Sequence, residues 1–290
     1  MVCIVFTGAS AGGIQQSPKA PNIKESDMKN ALIAIALTAS LILAGCSGKK
    51  AQVPEPEKPQ LVLPIVGNAT GKVQIQTVSG STAYPFNSYI ITSAEGESVI
   101  VDPTEMPPKS LIDLKPAAIV STHGHMDHTD PKFTESYDCQ KISYTKADIK
   151  TRDFHIYTIL SCHQGNTLGT SNVIIVFEVD GLRIAHMGDI GQDALTKGQL
   201  KELGKIDIAF MQFENNWSSM RLASGKGFKL IEQLNPMVVV PTHYTDAALP
   251  VLEKKYGKIT DYVNVVAVGK ADIPTKPLTV WRILNTHKYQ

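Results

Sequence analysis

The chain has 290 residues, a formal net charge of +1 and 43% hydrophobic residues, values typical of a globular protein with a sizeable core. Aromatic residues make up only 7% of the chain, and no basic patch alternates with them. The composition therefore gives no indication of a nucleic-acid partner.

Residues 28–45 have the organisation of a secretory signal. Met28 and Lys29 give the segment a positive start, and the apolar run at residues 31–44 is too short to span a bilayer comfortably. Cys46 comes directly after Leu-Ala-Gly, which resembles the lipobox of bacterial lipoproteins. The resemblance implies that the signal is cut before Cys46 and that this residue carries the acyl chains of a stable membrane anchor. The simpler alternative is an apolar helix with a chance cysteine.

The neighbouring segments complete the predicted domain organisation. Residues 1–27 have no evident role and are predicted to be a start-site artefact, with translation beginning at Met28. Residues 46–60 are Pro-rich and charged, which predicts an extended tether, and residues 61–290 are predicted to form the folded domain. Ser47 follows the lipidated cysteine. By resemblance to enteric lipoproteins, it favours the periplasmic side of the outer membrane if the cell is Gram-negative.

Strand patterns dominate the first part of the folded domain. Apolar and polar residues alternate in VQIQTV, and AEGE separates NSYIIT from SVIVD as a hairpin turn. PPKSLIDL is a predicted short helix, and AAIV is a predicted buried strand. Residues 131–156 show little periodicity and are predicted to be rich in loops.

Strands and helices alternate in the second part of the domain. YTIL is a predicted strand, and Asp180-Gly181 joins VIIVFEV to LRIAHM in a predicted hairpin. Helices and strands then alternate in DALTKGQLKELG, IDIAFMQF, KGFKLIEQLN, MVVVPTHY, TDAALPVLEKKYG and LTVWRIL. Hairpins in the first part, followed by alternating strands and helices, predict an α+β or layered α/β sandwich in which helices cover a mixed sheet.

One short segment concentrates side chains that bind divalent metals. STHGHMDHTD follows the strand AAIV and places His123, His125, Asp127 and His128 together. Neutral imidazole and carboxylate are preferred ligands of zinc and similar ions, and alternate side chains of an extended segment point the same way. A cluster of hydrogen-bonded surface histidines is the alternative. Asp130 precedes a proline and is predicted to be a turn residue.

Three further candidates stand where later predicted strands end. His163 follows YTILSC, Asp189 follows LRIAHMG, and His243 follows MVVVPT. Each is weak evidence alone, because a single residue defines no mechanism. Since the ends of strands hold side chains on a rigid scaffold, these three could complete a site that the histidine-rich segment begins.

The order of these seven residues resembles the metallo-β-lactamase superfamily. The resemblance extends over residues 70–284, and VIVDP, SCHQGN and DGLRIAHMGDIG are similar to a branch of metal-dependent hydrolases that includes the ascorbate-phosphate lactonases. It implies an α+β fold, a four-layer αββα sandwich with the site at one edge. It also implies a first metal on His123, His125 and His163, a second on Asp127, His128 and His243, and a bridging Asp189.

The resemblance implies a hydrolase that works through two divalent ions. A hydroxide shared between them would attack a small ester, lactone or phosphodiester, with Asp127 as the catalytic residue that orients it. Zinc suits the histidine-rich ligand sets best, and manganese or iron are alternatives. The lipid anchor motivates a phospholipid as a narrower substrate. No cysteine occupies a ligand position, and Asp189 departs from true β-lactamase sites, which disfavours antibiotic hydrolysis.

The competing prediction is a non-catalytic lipoprotein that keeps the metals for a structural or binding role. Nuclease activity fits the superfamily, but it fits neither the predicted compartment nor the absence of a basic surface. The predicted partners are a small-molecule or lipid substrate and the membrane, with no nucleic acid. No oligomeric state is predicted.

Residues near the predicted ligands receive weaker assignments. Tyr244 is a candidate substrate contact, although an amphipathic residue at the rim of the site is the favoured alternative. Residues 214–217 are expected to line the pocket. His186 is expected either to hydrogen-bond a ligand or the backbone, or simply to pack.

Two histidines and two cysteines are left outside the predicted site. His155 lies in an irregular region and His287 in a polar tail, so neither is predicted to bind metal. Cys139 and Cys162 are predicted either to pair in an oxidising envelope or to be free thiols.

Overall fold

The computed structural model describes residues 68–84, 86–109, 112 and 115–289. The predicted start-site artefact, signal, lipidated Cys46 and tether lie outside these residues, as does half of the helix predicted in PPKSLIDL. Within the described ranges, no helix is both long enough and apolar enough to cross a bilayer.

The first sheet contains six strands. They are Val73–Thr77 (β1), Tyr89–Thr92 (β2), Ser98–Val101 (β3), Ala118–Ser121 (β4), Gln140–Ser143 (β5) and Val265–Val268 (β13). Their order across the sheet is β13-β1-β2-β3-β4-β5. The predicted hairpin of β2 and β3 is confirmed as an antiparallel pair. Because β4 pairs in parallel with β3, these two strands end at the same edge of the sheet.

The second sheet contains eight strands. They are Asp148–Lys150 (β6), Phe154–Ser161 (β7), Asn172–Val179 (β8), Leu182–His186 (β9), Ile208–Gln212 (β10), Val238–Thr242 (β11), Thr260–Val263 (β12) and Thr279–Leu284 (β14). Their order is β12-β14-β11-β10-β9-β8-β7-β6. The predicted hairpin of β8 and β9 is confirmed, and both residues of its Asp180-Gly181 turn have positive φ, as a type I′ turn requires.

Four α-helices accompany the sheets in the described residues: Pro131–Glu135 (α1), Lys197–Leu203 (α2), Lys226–Leu234 (α3) and Ala248–Tyr256 (α4). The start and end of α2 follow from its sequence. The Thr196 hydroxyl accepts from the Gln199 N–H while the Gln199 side chain accepts from the Thr196 N–H, and Gly204 ends the helix.

Three apolar clusters lie between the layers of the fold and join them. The central cluster lies between the sheets and contains alternate residues of both, such as Ile91 of β2 and Phe177 of β8. A second cluster joins the outer face of the larger sheet to α2, α3 and α4. A third joins the outer face of the smaller sheet to Phe133 of α1. This is the predicted α+β sandwich, with four layers in the order αββα.

Two parts of the sequence prediction are wrong. Residues 131–156 were expected to be rich in loops, but they contain α1, β5, β6 and the start of β7. The strands β12 and β13 were not predicted. β5 and β6 are short strands at sheet edges with mostly exposed residues, so they lack the apolar alternation that marks a half-buried strand.

Candidate metal centre

The predicted ligands lie at one edge of the sandwich. His123 follows β4, His163 follows β7, Asp189 follows β9 and His243 follows β11. β9, β10 and β11 are parallel, and β7 runs in the same direction as β9 because both are antiparallel to β8. The backbone N–H of Val173 donates to the Thr122 carbonyl at 2.9 Å, which brings the end of β4 against the larger sheet.

All seven predicted ligands meet there in two groups. His123, His125, His163 and Asp189 form one group, and Asp127, His128, His243 and Asp189 form the other. Within each group, one potential ligand atom from every residue lies within 4.8 Å of the others. Only Asp189 belongs to both groups, as expected for a bridging carboxylate.

The first group surrounds the Oδ2 atom of Asp189. This oxygen lies 3.6 Å from His123 Nε2 and 3.5 Å from His163 Nε2. The ring of His125 lies 4.8 Å from that of His123 and 4.6 Å from that of His163, measured between centroids. His123 and His163 are buried, whereas His125 is exposed. The group is therefore open to solvent on the side of His125.

The second group surrounds the Oδ1 atom of Asp189. This oxygen lies 3.2 Å from His243 Nε2 and 3.4 Å from His128 Nε2. The Asp127 carboxylate lies 3.4 Å from His243 Nε2. Asp189 thus directs one oxygen toward each group, and the two groups are adjacent.

The donor atoms of the site fit divalent ions. His123 Nε2, His163 Nε2 and Asp189 Oδ1 are buried and have no hydrogen-bond partner among the described residues. Leaving such an atom unsatisfied costs about 1–3 kcal/mol, so buried polar atoms without partners call for an explanation. A set of imidazole nitrogens and carboxylate oxygens that converge in this way matches the ligand preference of zinc and related ions.

The electrostatics of the site suit metal binding. Burial, together with the neighbouring His128, lowers the pKa of His123 to about 2, so its ring is neutral as a ligand must be. Burial alone would raise the pKa of Asp189, but His128 and His243 outweigh it and hold that pKa well below its usual range. Burial would lower the pKa of His128, yet Asp189 and Asp102 outweigh it and hold that pKa well above its usual value.

Asp102 contacts the ligand His128 on the side away from the metal groups, a role that was not predicted from the sequence. Its Oδ2 lies 2.7 Å from His128 Nδ1 and 3.1 Å from His186 Nε2, and its Oδ1 accepts from the Thr122 N–H at 2.7 Å. The carboxylate is fully buried at the end of β3. His186, expected either to hydrogen-bond or only to pack, therefore contacts the residue that orients a predicted ligand. The motif VIVDP contained the only sequence signal for Asp102.

Three asparagines also contact the ligands. Asn215 Nδ2 donates to Asp189 Oδ2 at 2.6 Å, and Asn172 Oδ1 accepts from the Asp189 N–H at 2.9 Å. Asn87 Nδ2 lies 3.0 Å from His243 Nε2. Asn87 and Asn172 stand in no recognisable motif, so the sequence offered no signal that they touch the site.

A cleft of about 570 Å³ opens over both ligand groups. Glu214, Asn215, Asn216 and Trp217 line it, which confirms the expectation for residues 214–217. Tyr244 is not among the lining residues, and its role as a substrate contact stays a prediction. Its ring stacks on Phe86 at a centroid distance of 4.6 Å, and it packs against the outer apolar cluster of the larger sheet.

The remaining histidines lie elsewhere. His155 lies between Asp148 and Glu178, with 2.9 Å from a ring nitrogen to each carboxylate. His287 Nε2 lies 2.8 Å from the Thr77 carbonyl. Neither residue belongs to a ligand group.

Asp130 and the two described cysteines also have structural roles apart from the site. The Asp130 side chain accepts from the Phe133 N–H at 2.9 Å and so caps α1, which refines its prediction as a turn residue. Cys139 and Cys162 are free thiols. Cys162 Sγ donates to the Gly165 carbonyl at 2.9 Å, although it is adjacent to His163.

Two mixed sheets, outer helices and a histidine–aspartate site at the sheet edge define a protein of the metallo-beta-lactamase fold. The chain belongs to the beta-lactamase superfamily domain family, which matches it over residues 82–243. A comparison with curated proteins finds no significant match. The more specific resemblance to the ascorbate-phosphate lactonases stays a prediction.

Solved structures share this fold. A candidate zinc-dependent hydrolase of the metallo-beta-lactamase superfamily from Thermotoga maritima is 16% identical, with a TM-score of 0.54, covering 73% of this chain and 100% of its own. A candidate metal-dependent hydrolase from Parabacteroides distasonis is 21% identical, with a TM-score of 0.46 and coverages of 63% and 87%. The metallo hydrolase Igni18 from Ignicoccus hospitalis is 18% identical, with a TM-score of 0.44 and coverages of 60% and 83%. At this low identity the Thermotoga maritima structure supports the fold alone.

Proposed function

We propose that this protein is a dinuclear metal-dependent hydrolase, held in the cell envelope by a lipid anchor at Cys46. The observation that carries the hydrolase proposal is the pair of ligand groups that share Asp189, with buried ligand atoms that have no hydrogen-bond partner among the described residues. His123, His125 and His163 would hold one ion, and Asp127, His128 and His243 the other. Zinc suits these ligands best, with manganese or iron as alternatives.

The chemistry proposed is hydrolysis of a small ester, lactone or phosphodiester. When bound, two divalent ions would lower the pKa of a water molecule and polarise the electrophile. The new bond joins the water oxygen to carbon or phosphorus, the bond to the leaving oxygen breaks, and a proton from water passes to that oxygen. Asp127 lines the cleft, and its carboxylate would accept a hydrogen bond from the attacking water and orient it.

Metal content is the first test of this proposal. The full chain, purified in detergent, should bind about two zinc or manganese ions per molecule, as expected for a two-metal site. His125→Ala should lose metal and hydrolysis of generic ester, lactone and phosphodiester substrates. His155→Ala is the matched control, because this histidine lies outside both ligand groups and should leave both properties unchanged.

The competing function is a non-catalytic metal-binding lipoprotein. Stoichiometric metal without turnover of any substrate in the panel would favour that function and contradict the hydrolase. Failure of the wild-type chain to bind zinc or manganese would contradict both. Full activity in Asp189→Asn would overturn the bridging role of Asp189, since an amide cannot replace a carboxylate between two cations.

The anchor and its location are proposed from the sequence. Leu-Ala-Gly before Cys46 supports lipidation, Met28 is the proposed start of translation, and the periplasmic side of the outer membrane is the proposed location in a Gram-negative cell. An alkyne-labelled fatty acid should label the wild-type chain but not Cys46→Ala, which should leave the membrane fraction. Cys139→Ala is the matched control. An unlabelled wild-type chain would disprove the anchor.

A further inference from the structure

Large apolar side chains stand exposed at the mouth of the cleft. Met126 is 87% exposed, Trp217 is 79% exposed and Tyr84 is 42% exposed, and all three line the cleft. Met126 lies between the predicted ligands His125 and Asp127, so it stands directly beside the metal groups. Exposed apolar side chains that gather around a concave site are typical of ligand-binding surfaces.

The charged groups of the cleft are all acidic. Apart from histidines, the titratable side chains among the described lining residues are Asp127, Asp189, Glu214 and the Tyr84 phenol, and no lysine or arginine is among them. Proteins bind phosphate and carboxylate groups with arginine, lysine or clustered backbone N–H groups. An anionic substrate would therefore find no cationic side chain here, and it would face Glu214 in addition. Apart from the charge of the two proposed ions, the side chains of the cleft favour a neutral substrate over a phosphodiester.

The backbone of Trp217 is hydrogen-bonded to two residues that adjoin the ligand groups. Its N–H donates to Asn215 Oδ1 at 3.0 Å, and Asn215 also donates to the shared Asp189. Its carbonyl accepts a hydrogen bond from Gln164, the residue after the ligand His163. The backbone that presents the indole is therefore tied to the metal site, which places the side chain at the mouth of the cleft.

We infer that the substrate is a neutral ester or lactone with an aliphatic or aromatic group that packs against Trp217 and Met126. This inference rests on the proposed hydrolase function and narrows its three substrate classes to those with a carbonyl centre. In the step, the water oxygen bonds to the carbonyl carbon and the carbon–oxygen bond to the alcohol breaks. One water proton passes to the alcohol oxygen, and a carboxylic acid remains, with no change of oxidation state.

Kinetics with a series of substrates test the inference. We expect the zinc-loaded full chain to hydrolyse p-nitrophenyl octanoate with a kcat/KM about tenfold above that for the acetate, since each buried methylene adds to the discrimination. Bis(p-nitrophenyl) phosphate, an anionic diester, should be the poorest substrate. Trp217→Ala should remove most of the increase in kcat/KM that the longer acyl group gives. The matched control is Val263→Ala, because Val263 is a 60% exposed apolar residue of β12 outside the cleft. This variant should keep the increase in kcat/KM.

Adding a positive charge to the cleft gives a complementary test. Asn216 is exposed and lines the cleft, so Asn216→Lys would add the cation that the cleft lacks. We expect this variant to raise the kcat/KM for the phosphodiester relative to the octanoate ester by several-fold. A wild-type chain that already prefers the phosphodiester to every ester would overturn the inference and leave the hydrolase proposal intact.

Binding provides a readout that is independent of turnover. Calorimetry with acetohydroxamate and octanohydroxamate compares the same metal-binding group with a short and with a long apolar tail. The tail should tighten binding to the wild type about tenfold and much less to Trp217→Ala. Equal affinities for the two hydroxamates would overturn the inference. Tail-dependent binding without hydrolysis of any substrate would support apolar recognition and disprove the hydrolase.

Discussion

Asp102 Oδ2 lies 2.7 Å from Nδ1 of His128, whose other ring nitrogen, Nε2, belongs to the second ligand group. The carboxylate therefore orients this histidine and fixes which nitrogen faces the metal site. Burial would raise the pKa of Asp102, but the adjacent His128 and His186 outweigh it and hold that pKa well below its usual range. Asp102 is a positioning residue, since it acts through His128 and does not line the cleft.

Asp102→Asn should weaken metal binding by about 10–100-fold, the typical effect of removing a carboxylate behind a ligating histidine. An amide offers one acceptor oxygen where Asp102 uses both of its own. Competition with a chelator measures the affinity. Asp207→Asn is the matched control, because Asp207 is also buried but pairs with Lys270 outside the cleft. An unchanged metal affinity in Asp102→Asn would refute the positioning role.

Gly191 is a position where even one methyl group would disturb the site. A Cβ on this residue would lie 1.9 Å from the His163 carbonyl oxygen and 2.6 Å from that of Ser218, and both are backbone atoms. Gly191→Ala should therefore displace the His163 segment and reduce metal content, measured by elemental analysis. Gly198→Ala is the control: the nearest atom lies 3.8 Å away. This change in α2 should leave metal content intact and stabilise the helix by up to about 1 kcal/mol.

Phe177 belongs to the core between the two sheets, where it is fully buried in β8. Phe177→Ala should lower the free energy of unfolding by about 3–5 kcal/mol, because it removes apolar contacts and leaves a cavity. Urea titration followed by circular dichroism measures the change. Val263→Ala, an exposed position in the same sheet, should change it by less than about 0.5 kcal/mol. Equal effects of the two changes would contradict the assignment of this core.

His155 should make a small contribution to stability that depends on pH. Its hydrogen bond with Glu178, and a further one with Asp148, raise its pKa, whereas the unfolded value is about 6.5. The contribution is therefore fully present below about pH 6.5 and is lost as pH rises through the folded pKa. Because the side chain is 29% exposed, the effect should stay below about 1 kcal/mol.

His155→Gln tests this pH dependence. Unfolding free energies of the wild type and the variant should differ more in mildly acidic buffer than in alkaline buffer. A difference that grows with pH would have the wrong sign and would disprove the assignment. Metal content serves as the control and should be the same in both proteins.

Local patterns were sufficient for much of the fold. Apolar runs predicted the strands around Asp180-Gly181, and the turn residues predicted their hairpin. The same reasoning failed for β5 and β6, because edge strands with exposed side chains carry little alternation. β13 was not predicted as a strand, although its sequence VVAV is an apolar run.

The sequence by itself was sufficient to predict the seven ligands, because their order along the chain resembles that of the metallo-β-lactamase superfamily. The tertiary structure decided what surrounds them. Asp102 reaches His128 because β3 and β4 are parallel neighbours, and Asn215 reaches Asp189 because β10 and β9 end at the same sheet edge. The separation of the two residues along the chain predicts neither contact. Strand periodicity is a local property, whereas the charge and apolar surface of the cleft arise only when distant strand ends meet.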